Sequence, residues 1–239
     1  MQISRLATAA ISALALSMLS LSARGGPIVT NGGFEATTGN TSSFVMSPGT
    51  APNAPDGWTF SGGIGCVVFA ASTTSQTNAC GSGFASLYPG WTLSPDGGNF
   101  VAIDGDPSFA GSISQMINVV MGQSYVVSFD QAAEQFQFYS GATTERWLVS
   151  LGGQSQLSQI MNNASHGFVP WEGQSLTFTA TTTGSELLSF FAVGTPSGEP
   201  PVVLLDGVSV TTPEPATCAL IGAGMLGMFA VRRQLKKRR

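Results

Sequence analysis

Apolar and polar side chains alternate with a period of two through the middle of this chain, as in Tyr125, Val127 and Phe129, in Trp147, Val149 and Leu151, and in Leu176, Phe178 and Ala180. Successive side chains of a strand point to opposite faces, so this pattern predicts strands that bury one face each. Turn-forming pairs recur between such segments: Asp56-Gly57, Gly62-Gly63, Asp96-Gly97-Gly98, Asp104-Gly105, Gly122-Gln123, Gly152-Gly153, Gly184-Ser185 and Asp206-Gly207. Nothing between residues 27 and 213 sustains a 3.6-residue period. Short strands closed by tight turns predict an all-β domain, a single antiparallel β-sandwich of the jelly-roll type. The lack of a fixed-period repeat argues against a solenoid or propeller.

At 239 residues and 43% apolar, the chain can fill one core of ordinary size plus short appendages. Only 9% of residues are charged, against roughly 25% in a typical soluble domain. Their distribution is uneven: eight of the nine Lys and Arg residues lie near the two ends. From Pro27 to Pro213 a single base, Arg146, faces twelve acids. Nucleic acid is therefore excluded as a partner, because phosphate binding needs clustered Lys and Arg. An acidic surface without lysine suits hard cations and neutral polysaccharide, and it also serves solubility.

Both ends read as addresses. Arg5 precedes an apolar run from Leu6 to Leu21 and then small residues up to Gly26, the layout of a secretory signal peptide over 1–26, with cleavage expected between Ser22 and Gly26. At the other end Ala216 to Val231 is an uncharged, mostly apolar stretch followed at once by Arg232 and Arg233. A helix of that length spans roughly 24 Å, slightly less than a hydrocarbon core of about 30 Å. The basic tail from Arg232 to Arg239 should stay cytoplasmic, leaving the domain outside. Pro213 and Pro215 keep Glu214 extended just ahead of the helix.

Taken together, Pro213-Glu214-Pro215, the short Gly-containing apolar helix and the Arg/Lys cluster resemble the PEP-CTERM sorting signal. That resemblance implies recognition by exosortase, a membrane-embedded transpeptidase-like enzyme, after passage through the Sec translocase. The expected organisation is a signal peptide (1–26), a β-sandwich (27–211) and a sorting signal (212–239). The C-terminal helix would hold the chain in the inner membrane for a time, before release to the outer cell surface or extracellular matrix.

Asn31-Gly32-Gly33-Phe34-Glu35, Pro55-Asp56-Gly57-Trp58 and Leu204-Leu205-Asp206-Gly207-Val208-Ser209-Val210 also resemble motifs of galactose-binding-like jelly rolls, the fold of many carbohydrate-binding modules. In that group a first strand of the N-G-x-F-E kind lies beside a final L-D-x-V-x-V strand. The resemblance implies that Glu35 and Asp206 meet and share a structural calcium, with carbonyl oxygens near Asn31 or Gly33 completing a shell of six to eight oxygens. Alternatively the two acids are solvated strand ends. Asp104 and Asp106 offer a further pair, which a simple turn explains equally well, and no EF-hand pattern is present.

Cys66 and Cys80 are the only cysteines of the exported region, and an oxidising compartment predicts a disulfide between them. Cys218 lies in the apolar tail as an inert small residue. Tyr88-Pro89-Gly90-Trp91 sits among turn formers, so Tyr88 and Trp91 are the expected sugar-binding aromatics, while Trp58, Trp147 and Trp171 belong to the core or its rim. Enzyme chemistry finds little support, and the chain is read as non-catalytic. His166 is the single histidine, no Gly-x-Ser-x-Gly elbow is present, and zinc lacks ligands. Glu134 and Glu145 are formally a glycosidase pair but read as surface charges on a hairpin. The sequence thus points to an exported module that binds or organises extracellular polysaccharide, with a ligand-free matrix protein as the alternative and a glycoside hydrolase as a third reading.

Overall fold

The computed structural model describes residues 28–46, 54–69, 80 and 87–213. The signal segment, Glu214, Pro215, the apolar C-terminal stretch and the basic tail lie outside the described residues, and with them the two expected helices. Among the described residues there is no helix, as the period-two reading requires.

Twelve strands form two antiparallel sheets packed as a sandwich: β1 (Phe44–Val45), β2 (Thr59–Gly62), β3 (Gly65–Val68), β4 (Phe100–Asp104), β5 (Gly111–Val119), β6 (Ser124–Gln135), β7 (Thr143–Leu151), β8 (Gln154–Leu157), β9 (Met161–Asn163), β10 (Val169–Thr179), β11 (Gly184–Thr195) and β12 (Pro201–Thr211). The first sheet runs β1-β3-β4-β12-β6-β10; the second runs β2-β5-β11-β7-β8, with β9 also paired to β7. Consecutive long strands alternate between sheets, which is how a jelly roll buries one face of each.

The alternating residues do what their period requires. Tyr125, Val127 and Phe129 of β6 and Trp147, Val149 and Leu151 of β7 all enter the inter-sheet core. At its centre Phe190 packs edge-on against Phe129 and Trp147, with ring centroids 5.1 and 6.1 Å away. The Trp147 indole N–H donates to the Leu204 carbonyl at 3.1 Å, so its polar atom is satisfied inside the core.

A second core lies on the outer face of the first sheet. There Cys66, Phe100, Ala102, Ala132, Val202 and Leu204 are covered by Leu87, Trp91 and Phe136. Cys66 is joined to Cys80 by a disulfide with a Cα–Cα distance of 5.3 Å, which fastens the covering segment to β3. The first sheet is therefore buried on both faces around β3, β4 and the start of β12, while its β10 edge stays open on the outer side.

One element differs from expectation. The Asn31–Glu35 segment lies beside β12 as anticipated, with the Val208 N–H donating to the Gly32 carbonyl at 3.0 Å, but it is a turn and not a strand. Asn31 and Phe34 have φ of 52° and 57°, and the Asn31 side chain donates to the carbonyls of Ala36 and Asp56. An asparagine tolerates that left-handed conformation and closes the loop on itself. Gly32 is required for the contact, since a Cβ there would lie 1.9 Å from the Val208 carbonyl oxygen.

Candidate functional site

Asp206 sits just before a bulge in β12, where the register with β6 shifts between Asp206 and Ser209 and Gly207 takes φ 59°. Up to that point β12 and β6 pair regularly, which sets Asp206 directly opposite Asp130. Like charges in directly opposed positions repel. Asp96, from the segment before β4, adds a third carboxylate, which helps raise the pKa of both Asp206 and Asp130. Glu35, the other acid singled out in the sequence, contributes a fourth whose charge acts on Asp206. Burial is the main cause of the Asp206 shift, and its carboxyl is pushed up to about 7 although Ser94 donates a hydrogen bond to Oδ2. Its Oδ1 is buried without a partner.

The geometry qualifies the expected shell. The Asn31 carbonyl already accepts from the Phe34 N–H at 3.2 Å and the Trp58 indole at 2.9 Å, so Gly33 is the carbonyl left to the expectation. Glu35 Oε1 accepts the Asn99 N–H at 2.5 Å. Among the described residues no three His, Cys, Asp or Glu side chains stand as a ready metal-ligating set, so any ion here must draw on main-chain oxygen as well. Sequence reading missed Asp96 and Asp130, because the first is reached through a loop and the second only through register.

The proposed aromatic platform is not presented. Trp91 is 1% exposed and packs edge-on against Phe100 at 5.3 Å within the second core. Tyr88 is half-buried, stacked on His166 at 4.2 Å, with its hydroxyl donating to the Tyr139 carbonyl. Turn-forming neighbours had implied exposure, but the segment folds back onto the first sheet. Trp171 closes the rim, its indole donating to the Thr92 carbonyl at 2.8 Å.

Glu134 and Glu145 are not hairpin surface charges. Their strands belong to opposite sheets, residues 136–142 cross between them, and the two side chains are 1% and 0% exposed. Burial pushes both carboxyls up to about 8, with Glu145 adding to the rise at Glu134 and a Thr143 hydroxyl bond offsetting part of that at Glu145. Neither lines the two cavities described below, as a glycosidase pair would need to. His166 meets the Ser140 hydroxyl at 2.8 Å and stacks on Tyr88, and no carboxylate holds its other ring nitrogen among the described residues.

The outer face of the second sheet is the open surface. Register places Thr59, Ser114, Ser189, Ser150 and Ser155 side by side across five strands, and the hydroxyls of Ser150 and Ser155 are 2.9 Å apart. The neighbouring row is Ser61, Ser112, Phe191, Leu148 and Leu157, with Phe191 40% exposed. A shallow cavity of about 480 Å³ opens beside Thr59, Ser114, Asn118, Met116 and Leu187 on the same side. No acid points outward from these strands, and Arg146 is their only base.

Comparison with known proteins adds two things. Residues 211–234 match the PEP-CTERM protein-sorting motif, which marks the chain as an exported protein with a membrane-associated sorting signal, starting one residue before the boundary read from sequence. Among solved structures, the domain is similar to TmCBM61 in complex with beta-1,4-galactotriose (17% identity, covering 79% of this chain and 100% of that one, TM-score 0.44). It is also similar to the N-terminal cellulose-binding domain of Cellulomonas fimi beta-1,4-glucanase C (13%, 80% and 99%, 0.33) and to the K1 adhesin domain of Lys-gingipain from Porphyromonas gingivalis (10%, 72% and 99%, 0.41). At TM-scores below 0.5 these likenesses decide nothing about ligand. No curated protein sequence matches the chain.

Proposed function

We propose that the exported domain is a non-catalytic module that binds polysaccharide on the outer face of the second sheet. We further propose that exosortase processing of the 211–234 signal, after Sec export, delivers it to the cell surface or extracellular matrix. The observation that carries the reading is the hydroxyl row from Thr59 to Ser155 beside the apolar row centred on Phe191. Neighbouring strands lie about 4.8 Å apart, so the row offers donors and acceptors at regular steps along a linear polymer. Phe191, Leu148 and Leu157 supply the apolar contact that sugar C–H faces need, and a face without acids avoids desolvating carboxylates on binding.

The carboxylate seam takes a structural role in the same reading. Asp206 and Glu35, with the Gly33 carbonyl and further main-chain oxygen, would hold calcium. The orphaned Asp206 Oδ1 and the facing Asp130 supply the negative charge that such a hard cation neutralises.

A glycan array probed with the exported protein tests the surface. Retention of one class of linear glycan is expected, weakened at least tenfold by Phe191→Ala with the melting temperature unchanged. Retention that survives Phe191→Ala would place binding elsewhere. Absence of any retained glycan would leave a matrix protein without a specific ligand.

A further inference from the structure

At one end of the sandwich a cavity of about 300 Å³ is walled by Phe109, Phe136, Tyr139 and Pro200 and contains Asp104 and Asp106. It is assembled from the end of β4 and the β2–β3, β4–β5, β6–β7 and β11–β12 connections, well separated in sequence. Both acids are 1% exposed. Asp106 is fully engaged: Oδ1 accepts from the Ser108 N–H and the Ser197 hydroxyl, and Oδ2 accepts from the Gly198 N–H. Asp104 is only half engaged, because Oδ1 accepts the Asp106 N–H at 2.8 Å while Oδ2 is buried with no partner. Among the described residues no Lys or Arg lines the cavity, and Arg146 points outward from the second sheet.

A buried carboxylate oxygen without a donor is costly; Phe109, Phe136 and Pro200 have none to give, and the Tyr139 hydroxyl makes no bond to it. What satisfies both the oxygen and the walls is a cation with N–H donors and an apolar body, since ring faces attract cations and pack on carbon skeletons. A bare divalent ion matches the acid but leaves the apolar walls unused. The wall segment also carries Phe138, 81% exposed and held at φ 77°. That conformation is strained for a non-glycine residue, and such strain clusters at ligand-binding segments.

We infer that this cavity binds a protonated primary amine carried on a sugar-sized apolar skeleton, with the ammonium donating to Asp104 Oδ2 and the ring lying against Phe109, Phe136 and Tyr139. The amine has two possible sources, an amino sugar within a polysaccharide or a free small amine. The site is separate from the hydroxyl face, and its occupation does not depend on that face binding anything.

Calorimetric titration of the exported protein with glucosamine trimer, its N-acetylated counterpart, monomeric glucosamine and calcium chloride tests the inference. The free-amine trimer is expected to bind at least tenfold more tightly than the N-acetylated one. Asp104→Asn should erase that preference, and Phe109→Ala should weaken the trimer several-fold, since Phe109 is 51% exposed and dispensable to the core. A monomer as tight as the trimer points to a free amine, and a tighter trimer points to a polysaccharide; either supports the site. Equal affinity for amine and acetamide, or a preference that persists in Asp104→Asn, overturns it. So does competitive displacement of the amine by calcium in the wild type that Asp104→Asn abolishes. If Asp104→Asn does not fold, unchanged trimer affinity in Phe109→Ala overturns the inference by itself.

Discussion

Asp104 and Glu134 flank Val202 in one cross-strand row of the first sheet, and each keeps a carboxylate oxygen buried without a hydrogen-bond partner. Burial raises Asp104 to about 7 and Glu134 to about 8, and Glu145 and Asp206 behave alike at about 8 and 7. In the unfolded chain these groups titrate near 4. The folded state therefore binds more protons between those limits, so this contribution to stability is complete below about pH 4 and is lost as pH rises through 7 to 8. In metal-free buffer the melting temperature should fall between pH 5 and pH 9. A melting temperature that is flat or rising over that range would show that these carboxyls are paired in solution.

The same row explains what the sequence hid. The inward alternation of β6 and β7 was legible because burial between two sheets leaves a period of two, and Trp147 and Phe129 lie where that period puts them. Outward positions of the first sheet read as surface because Asp104, Asp130 and Glu134 are polar. Their outward neighbours Phe100, Ala102, Ala132, Val202 and Leu204 are covered by a distant segment carrying Leu87 and Trp91, and no local pattern announces that cover. Trp91 failed as a platform for the same reason, since its turn-forming neighbours describe the backbone and not what the indole meets. Glu35 and Asp206 were found because both lie in recognisable motifs, whereas Asp96 and Asp130 join them only through the fold.

Trp91 is expected to act in stability and not in sugar recognition. Truncating a fully buried aromatic costs about 3–5 kcal/mol, so Trp91→Ala should lower the melting temperature by many degrees. Reducing the Cys66–Cys80 bridge should loosen the same cover, with about 3 kcal/mol at stake on the chain-entropy model. Circular dichroism melts of Trp91→Ala, of Phe191→Ala and of the reduced protein check both points. A Trp91→Ala protein that melts like the wild type but loses glycan would reverse the assignment.

The sorting signal makes a prediction outside the sandwich. A marginal apolar stretch ending in a basic stop suits temporary retention followed by cleavage, and the sorting-motif match covers residues 211–234. Replacing Pro213-Glu214-Pro215 with alanines should trap the protein in the inner membrane. Intact-mass measurement of the mature protein should show that the basic tail is gone. A mature chain still ending in Arg239 would contradict processing.

Calcium supplies the last prediction. Asp206 and Asp130 face each other across β12 and β6, Asp96 bears on both, and Glu35 bears on Asp206, with no base at the seam among the described residues to offset them. Above pH 7 this crowding must be met by repulsion, by a proton kept on Asp206, or by a shared cation. A ligand bound only by the folded state adds RT ln(1 + [Ca]/Kd), about 2.7 kcal/mol at a hundredfold excess over Kd. At pH 8, calcium should therefore raise the melting temperature and a chelator should lower it. Asp206→Asn separates the two contributions, because it removes both a ligand and a buried charge: without calcium it should melt at or above the wild type, and with calcium it should no longer respond. Wild-type protein whose melting curve ignores calcium and chelator alike at pH 8 would show that proton uptake alone relieves the repulsion at this seam.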